Sequence, residues 1–419
     1  MANFLRRLYR LYVNAFSGLP PKVWLLSLVL LINRSGAMVV AFLSVYLVNE
    51  QGYSLSRSGW VMAAFGAGGI LGNYLGGLLN DRYGSWHIMF YSLIGAGGLN
   101  ILLGQVDDFY LICLVAFLIS TVADAFRPAN RAAVAIYAPA EVLTQSYGLQ
   151  RLAINLGFSI GPALGGWLIY AYGYELLFWG DGFTYWVAAL VFYWVLPADE
   201  TARPLVTGSS GTQLPRAAAP PAHRQPWLLL MALANVAIIL CFFQFFSTIP
   251  LYLKDIGYSE KLIGLSITLS GLTIVLLEMP LVYLAERRYR AIPVMLVGGA
   301  IMVGSYAVLP LLAVAFAGLG LFMVVLTIGE IFYMPFTSTY VARWSPPARR
   351  GEYLGVLSAS YSAAFVATPL ICLNVAEYYG YLSSIYVACA LGGAGILLLA
   401  GVERLRVRDV AEEAPSPAA

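Results

Sequence analysis

Charge is scarce in this chain. Of its 419 residues only 11% are Asp, Glu, Lys or Arg, whereas 60% are hydrophobic. Soluble globular chains carry about 25% charged residues, so this chain lacks the polar surface that a domain of its size needs in water. The composition excludes an ordinary soluble protein and indicates one that lies in a lipid bilayer.

Histidine and cysteine are also scarce. The two histidines, His87 and His223, lie far apart in the chain, and the four cysteines lie in apolar stretches without the spacing of metal ligands. The chain also lacks a phosphate-binding loop and a dinucleotide-binding fingerprint. We therefore expect no enzymatic activity, no metal and no bound cofactor.

Apolar runs of the length needed to cross a bilayer, about 20 residues, follow one another along the chain. Each predicts a transmembrane helix, because lipid offers no hydrogen-bond partner to a free backbone amide. Twelve spans are expected, in two sets of six: 24–48, 59–79, 86–104, 108–130, 143–172 and 175–196, then 226–251, 260–284, 291–312, 314–340, 352–376 and 380–402.

An internal repeat relates the two sets of spans. Gly52-Tyr53-Ser54 recurs as Gly257-Tyr258-Ser259, and Asp81-Arg82 is matched by Glu286-Arg287, at a constant offset of about 205 residues. Duplicated halves in a very apolar chain are typical of transporters that bind their substrate between two similar bundles. We therefore predict an all-α membrane protein of twelve helices in two pseudo-symmetric six-helix bundles.

Basic residues are concentrated on one side of this predicted arrangement. The N-terminal segment, the segment between the halves and the C-terminal tail are rich in arginine, whereas the other side holds only Arg57, Lys254 and Lys261. Because basic loops stay in the cytoplasm, we expect both termini to be cytoplasmic, in a bacterial-type inner membrane. The net charge of +3 reflects this asymmetry, and we expect no nucleic-acid partner.

The sequence divides into five segments. We predict a cytoplasmic N-terminal segment at 1–23, a first bundle at 24–196, a cytoplasmic linker at 197–225, a second bundle at 226–402 and a disordered cytoplasmic tail at 403–419. The linker is assigned from its richness in Pro, Ala, Ser and Gly. A monomer suffices for this architecture.

Two glycine-containing motifs point to a family. Between the second and third spans, Gly77-Leu78-Leu79-Asn80-Asp81-Arg82-Tyr83-Gly84 resembles the G-x-x-x-D-R-x-G signature of the major facilitator superfamily. The fifth span resembles that superfamily's antiporter motif, G-x-x-x-G-P-x-x-G-G, through Gly157, Gly161, Pro162, Gly165 and Gly166. The span count, the central linker and the duplication agree with this resemblance, which is closest to the twelve-helix drug:proton antiporter branch.

The resemblance implies that the first motif latches the two halves together in one state of a transport cycle. We expect this latch to be formed by Gly77, Asp81, Arg82 and Gly84 and by their repeat equivalents Glu286 and Arg287. Gly84 permits a sharp turn, and Arg82 can bridge to a carboxylate. Ser85 and Trp86 replace the basic pair that often ends the motif, which predicts a weaker latch.

Ionisable residues inside the spans are the candidate functional residues, since each costs about 2.5–3.5 kcal/mol at the bilayer centre on insertion scales. By the resemblance, spans one, four, seven and ten line a central cavity. We expect the proton-coupling and cavity residues to be Glu330, Asp124, Arg34, Arg127 and Glu278. Glu330 is the first candidate for the proton carrier, its repeat equivalent Asp124 the second and Glu278 the third. A static ion pair of Arg34 with Glu330 or Asp124 is the alternative.

These features predict a secondary transporter that works by alternating access, with a proton gradient as its energy source and drug-like or amphiphilic small molecules as exported substrates. One alternative is uptake of a polar or zwitterionic nutrient such as small peptides, because a cavity with both signs of charge suits a zwitterion. A lipid scramblase or a polytopic membrane enzyme is the alternative from another class. The chain departs from drug exporters near Phe117, where those proteins commonly carry an arginine.

Overall fold

The structure, a computed structural model, describes residues 17–196, 220–313, 315–346 and 349–413. All regular structure in these ranges is helical. The helices of the first half that are long and apolar enough to cross a membrane are Pro21–Asn49, Leu55–Tyr83, Ser85–Leu103, Phe109–Tyr137, Gln145–Tyr172 and Glu175–Val195. They correspond to the six predicted spans of that half.

The second half repeats this pattern with Pro226–Phe246, Glu260–Arg288, Ala291–Leu312, Phe316–Trp344 and Arg350–Arg406. The last of these is 57 residues long, more than twice the length of about 20 residues that a bilayer requires. Gly380, with φ of 83°, interrupts it and separates the eleventh span from the twelfth. The predicted fold class, an all-helical membrane protein, is confirmed.

The duplication is repeated in the packing of the helices. The first span packs on the fifth, and the third packs on the fourth and the sixth. In the same way the seventh span packs on the eleventh, through Asn235 and Ser360. The ninth span packs on the tenth, and on the twelfth through Val303 and Cys389. The repeat found in the sequence therefore extends to the tertiary contacts of each half.

The chain forms two compact units whose division differs from the predicted bundles. One unit holds residues 17–39 and 67–196, and the other holds residues 40–66 with the described residues from 220 onward. The sequence analysis placed the whole of 24–196 in one bundle. The C-terminal half of the first span and the start of the second thus belong to the unit that contains the second half of the chain.

Contacts between the start of the second span and the eleventh span explain this division. The backbone N–H of Ser56 donates to Glu377, and Ser56 Oγ donates to Asn374 Oδ1 at 2.8 Å. A Cβ at Gly59 would lie 2.8 Å from the carbonyl oxygen of Pro369, so the backbones of the two spans approach closely there.

Three predicted segments lie partly outside the described residues: the N-terminal segment 1–23, the linker 197–225 and the tail 403–419. The last helix continues to Glu413, into the segment that was predicted as a disordered tail. Arg406 holds this extension in place: it pairs with Glu403 at 2.6 Å and lies 3.5 Å from the centre of the Trp344 ring.

Candidate functional site

The first span is broken in its middle. One helix ends at Ser35 and the next begins at Val39, with a turn at residues 36–38. A Cβ at Gly36 would lie 1.7 Å from Thr184 Oγ1 in the sixth span. Glycine is therefore needed at this position so that the break can lie directly against the sixth span.

Asp181 of the sixth span binds the backbone at this break. The residue is 2% exposed, and its Oδ2 accepts a hydrogen bond of 3.1 Å from the backbone N–H of Val39. Its Oδ1 makes no hydrogen bond to any described residue. Asp181 thus caps a helix that begins inside the protein, where an unpaired N–H would be costly.

Arg34 lies beside the same break, in the last turn of the preceding helix. The residue is 9% exposed, and its guanidinium lies 5.8 Å from the centre of the Phe158 ring. It interacts electrostatically with Asp124, Arg127 and Asp181, but it forms no salt bridge or hydrogen bond with a described residue. Its guanidinium is therefore available to bind a further group.

Asp124 and Arg127 of the fourth span form a direct ion pair. Asp124 Oδ1 lies 2.9 Å from Arg127 Nε, and the side chains are 16% and 49% exposed. A Cβ at Gly69 would lie 2.7 Å from Asp124 Oδ2, so the backbone of the second span packs on this carboxylate. Three predicted site residues, Arg34, Asp124 and Arg127, are thus neighbours in one unit.

Asp181 was not among the site residues predicted from the sequence. The structure places it in the same charged group as Arg34, because the break brings the backbone of the first span against the sixth. The available signal was a carboxylate inside an apolar span, which by default marks a functional site.

Glu330 and Glu278 belong to the second unit, in the tenth and eighth spans. The helix that carries Glu330 packs closely on the ninth span, because a Cβ at Gly329 would lie 2.7 Å from the backbone nitrogen of Met302. Glu330 interacts electrostatically with Tyr306 of the ninth span. Tyr306 connects this carboxylate with the seventh span.

The seventh span is broken at the position that matches the break in the first. A 3-10 turn at Gln244–Phe246 follows its first helix. The Tyr306 hydroxyl donates to the carbonyl oxygen of Phe242 at 2.9 Å, and the Thr368 hydroxyl donates to that of Leu240 at 3.2 Å. Corresponding broken spans in two halves are the feature by which a transporter binding site is best located.

We expect Tyr306→Phe to lower the stability of the protein. The substitution removes the hydroxyl that donates to the carbonyl oxygen of Phe242, which still accepts from the backbone N–H of Gln244, so we expect a cost of about 0.5–1.5 kcal/mol. The measurement is the thermal unfolding midpoint in detergent. Tyr283→Phe is the matched control because Tyr283 is 54% exposed. A midpoint for Tyr306→Phe equal to that of the control would contradict the role of this hydroxyl.

The predicted latch residues lie at equivalent helix ends. Asp81 and Arg82 end the second span, and Glu286 and Arg287 lie near the end of the eighth. Arg82 lies over the Tyr83 ring at 5.2 Å, and Arg287 lies over the Tyr283 ring at 4.4 Å.

Two glycines lie at the ends of the first motif. Gly77 lies within the second span, and Gly84, with φ of 80°, makes the turn into the third. This positive φ is the conformation that glycine alone adopts readily.

The glycines of the antiporter motif pack on the first span. A Cβ at Gly157 would lie 2.5 Å from Arg34 Cβ and 2.9 Å from the carbonyl carbon of Arg34. One at Gly161 would lie 3.2 Å from the carbonyl oxygen of Ser35. The rest of the motif, Pro162, Gly165 and Gly166, follows in the same helix. The motif therefore sets the close approach of the fifth span to the broken first span.

The fold and its buried charges define a multi-pass membrane transport protein. The sequence profile of the Major Facilitator Superfamily matches residues 23–329 and, in a second match, residues 253–418. The chain therefore belongs to the Major Facilitator Superfamily.

Three relatives illustrate the range of this similarity. YqjV of Bacillus subtilis (strain 168), an uncharacterized MFS-type transporter, is 25% identical over 379 residues, which cover 86% of this chain and 87% of YqjV. The 4-hydroxybenzoate transporter PcaK of Acinetobacter baylyi is 25% identical over 194 residues, covering 45% of this chain and 42% of PcaK. A Na(+), Li(+), K(+)/H(+) antiporter of Planococcus maritimus is 25% identical over 150 residues, covering 35% of each chain.

Two solved structures show the same fold. A bacterial homologue of the human lysosomal transporter Spinster, in an inward-facing and unoccupied conformation, has a TM-score of 0.76 at 15% identity, covering 94% of this chain and 98% of that one. A POT family transporter in complex with 5-aminolevulinic acid has a TM-score of 0.77 at 13% identity, covering 94% and 97%. The chain is thus an MFS-type transporter.

Proposed function

We propose that this transporter is a proton-coupled exporter of amphiphilic small molecules that works by alternating access. The observation that carries the proposal is the packing of Gly157, from the antiporter motif, on Arg34. A movement of the fifth span against the first must displace this buried cation and so change the charge around the neighbouring carboxylates. A relative named as a monovalent cation/proton antiporter supports an exchange mechanism.

Glu330 is the proposed proton carrier, with Asp124 and Glu278 as the second and third candidates. Glu330 lies in the middle of the tenth span, where a carboxylate is costly unless it has a function. Its helix packs closely on the ninth span, at Gly329 and Met302. Asp124 instead forms a direct ion pair with Arg127 at 2.9 Å on its own helix.

The same proposal places both termini in the cytoplasm of a bacterial-type inner membrane. Arginine-rich segments at the ends and between the halves support this orientation. The helix ends at Asp81-Arg82 and Glu286-Arg287 would then face the cytoplasm, where the motif is proposed to act as a latch.

Uptake of a polar or zwitterionic nutrient, such as a small peptide or an organic acid, is the second candidate. The availability of the Arg34 guanidinium favours it, because a buried arginine can hold a substrate carboxylate by charge-assisted hydrogen bonds. PcaK is a 4-hydroxybenzoate transporter, and an aromatic acid of this kind is consistent with such a site.

The purified protein in liposomes with an acidic interior and an internal pH-sensitive dye tests the proposal. Lipophilic cations, aromatic acids and small peptides are added in turn. Alkalinisation of the interior on addition of a lipophilic cation supports proton-coupled export. Absence of proton movement with every compound in this geometry contradicts it.

Two further arms of this assay separate the remaining candidates. In the first, the proton gradient is reversed. Movement of protons together with an acid or a peptide then indicates the uptake mechanism. Liposomes without an ion gradient that carry a labelled lipid detect scrambling, which requires no driving ion.

A further inference from the structure

The buried carboxylate of Asp181 has no role in the function proposed so far. We propose that Asp181 is a second proton-binding residue of the transport cycle and that it acts through the break in the first span. This inference rests on the proposed proton coupling, but it concerns a different residue and a different helix from Glu330.

The contacts of Asp181 tie its charge to the backbone of the first span. Oδ2 accepts the N–H of Val39 at 3.1 Å, and the amide of Met38 lies close to the same carboxylate. Oδ1 has no hydrogen bond to any described residue, so one oxygen holds the break while the other remains able to take a proton. The proton forms an O–H bond there and leaves from the same oxygen.

The charged and titratable groups around Asp181 come from three helices. Arg34 of the first span faces it, Tyr185 lies one turn later on its own helix, and Asp124 and Arg127 of the fourth span complete the group. Ionised Asp181 and Asp124 both balance Arg34, whereas protonation of Asp181 removes one of these two negative charges and weakens the bond to Val39. Protonation of Asp181 therefore changes both the charge balance around Arg34 and the strength of the hydrogen bond that stabilises the break.

The matching break in the second half of the chain is bonded by neutral groups. Near it the hydroxyls of Tyr306 and Thr368 donate to backbone carbonyl oxygens of the seventh span. The positions that correspond to Asp181 at the repeat offset are Tyr386, Val387 and Ala388. Because a buried carboxylate is costly inside a membrane, a charge found in only one half indicates a function.

Asp181→Asn distinguishes a proton-binding residue from a static helix cap. The side-chain oxygen of Asn can still accept the N–H of Val39, but Asn cannot take up a proton. We expect gradient-driven transport in liposomes to fall by about tenfold or more, the range of a typical coupling free energy. Exchange of labelled for unlabelled substrate without a gradient should persist. Gradient-driven transport equal to that of wild type would overturn the proposal.

Glu175→Gln is the matched control, because it makes the same chemical change at an exposed position in the first turn of the same helix. We expect it to leave both gradient-driven transport and exchange unchanged. A loss in this control equal to that of Asp181→Asn would also overturn the proposal, since the effect would then not be specific to the buried site.

A measurement on the wild-type protein keeps the proposal testable if the variant does not fold. Hydrogen–deuterium exchange of a peptide covering residues 36–42 is followed from neutral to acidic pH, with each rate divided by the intrinsic rate. We expect protection of this peptide to fall as the pH falls, and pH-independent protection would overturn the inference. If wild type moves no protons with any substrate, the proposed transport function fails, while this exchange measurement still decides the proton site.

Discussion

Replacing Glu330 by Gln is expected to abolish gradient-driven transport while leaving gradient-independent exchange of substrate intact. Gln has nearly the shape of Glu but cannot take up a proton, so the substrate would no longer be coupled to the gradient. A coupling free energy of about 1–3 kcal/mol corresponds to a loss of about 5- to 150-fold. Proton flux and substrate flux are measured in the same liposomes, so that coupling can be separated from binding.

Asp124→Asn is the informative comparison for this result. The two carboxylates occupy equivalent positions in the repeat, but Asp124 is paired with Arg127 at 2.9 Å. We expect Asp124→Asn to disturb the charge balance around Arg34 and to reduce the rate of exchange as well. If Glu330→Gln retains wild-type coupling, Glu330 is not the proton carrier, and Asp124, the second candidate, becomes the next residue to test.

Most of the fold could be predicted from the sequence because a bilayer restricts the possible solutions. Long apolar runs can only be helices there, and the repeat between Gly52 and Gly257 sets the division into two sets of six spans. The positions of the two breaks could not be predicted in the same way. No proline marks the break at Gly36, and the close contact with Thr184 that requires this glycine depends on the packing of the sixth span.

The division into compact units could not be predicted from the sequence either. A repeat shows which residues are equivalent, but it does not show which helices they contact. Residues 40–66 are joined to the second half of the chain by Ser56, which bonds to Asn374 and Glu377. Polar residues at these distant positions carry no signal of pairing in a single sequence.

The candidate site was predicted in part. Arg34, Asp124 and Arg127 were selected because charges inside a span are costly, and the structure places them together. Asp181 satisfies the same criterion but was not among the residues selected. Its bond to the backbone N–H of Val39 depends on the break in the first span, and the sequence does not mark that break.

Gly157→Ala is expected to destabilise the protein and to impair substrate exchange. The added Cβ would lie 2.5 Å from Arg34 Cβ and 2.9 Å from its carbonyl carbon, so the backbone of the first or the fifth span must shift. Overpacking of this kind costs about 1–3 kcal/mol. The shift would also move Arg34 relative to Asp124 and Asp181, and we therefore expect exchange to be lost even where the protein still folds.

Two other glycine substitutions make this prediction specific. Gly161→Ala should have a smaller effect, because its nearest contact would be 3.2 Å from the Ser35 carbonyl oxygen. Gly98→Ala, where no described atom comes within 4 Å of the new Cβ, should be neutral or stabilising, since Ala favours a helix over Gly by about 1 kcal/mol. Thermal midpoints and exchange rates are compared for all three variants. If they rank in any other order, the close approach at Arg34 is not what the antiporter motif provides, and the link between that motif and the charged site is lost.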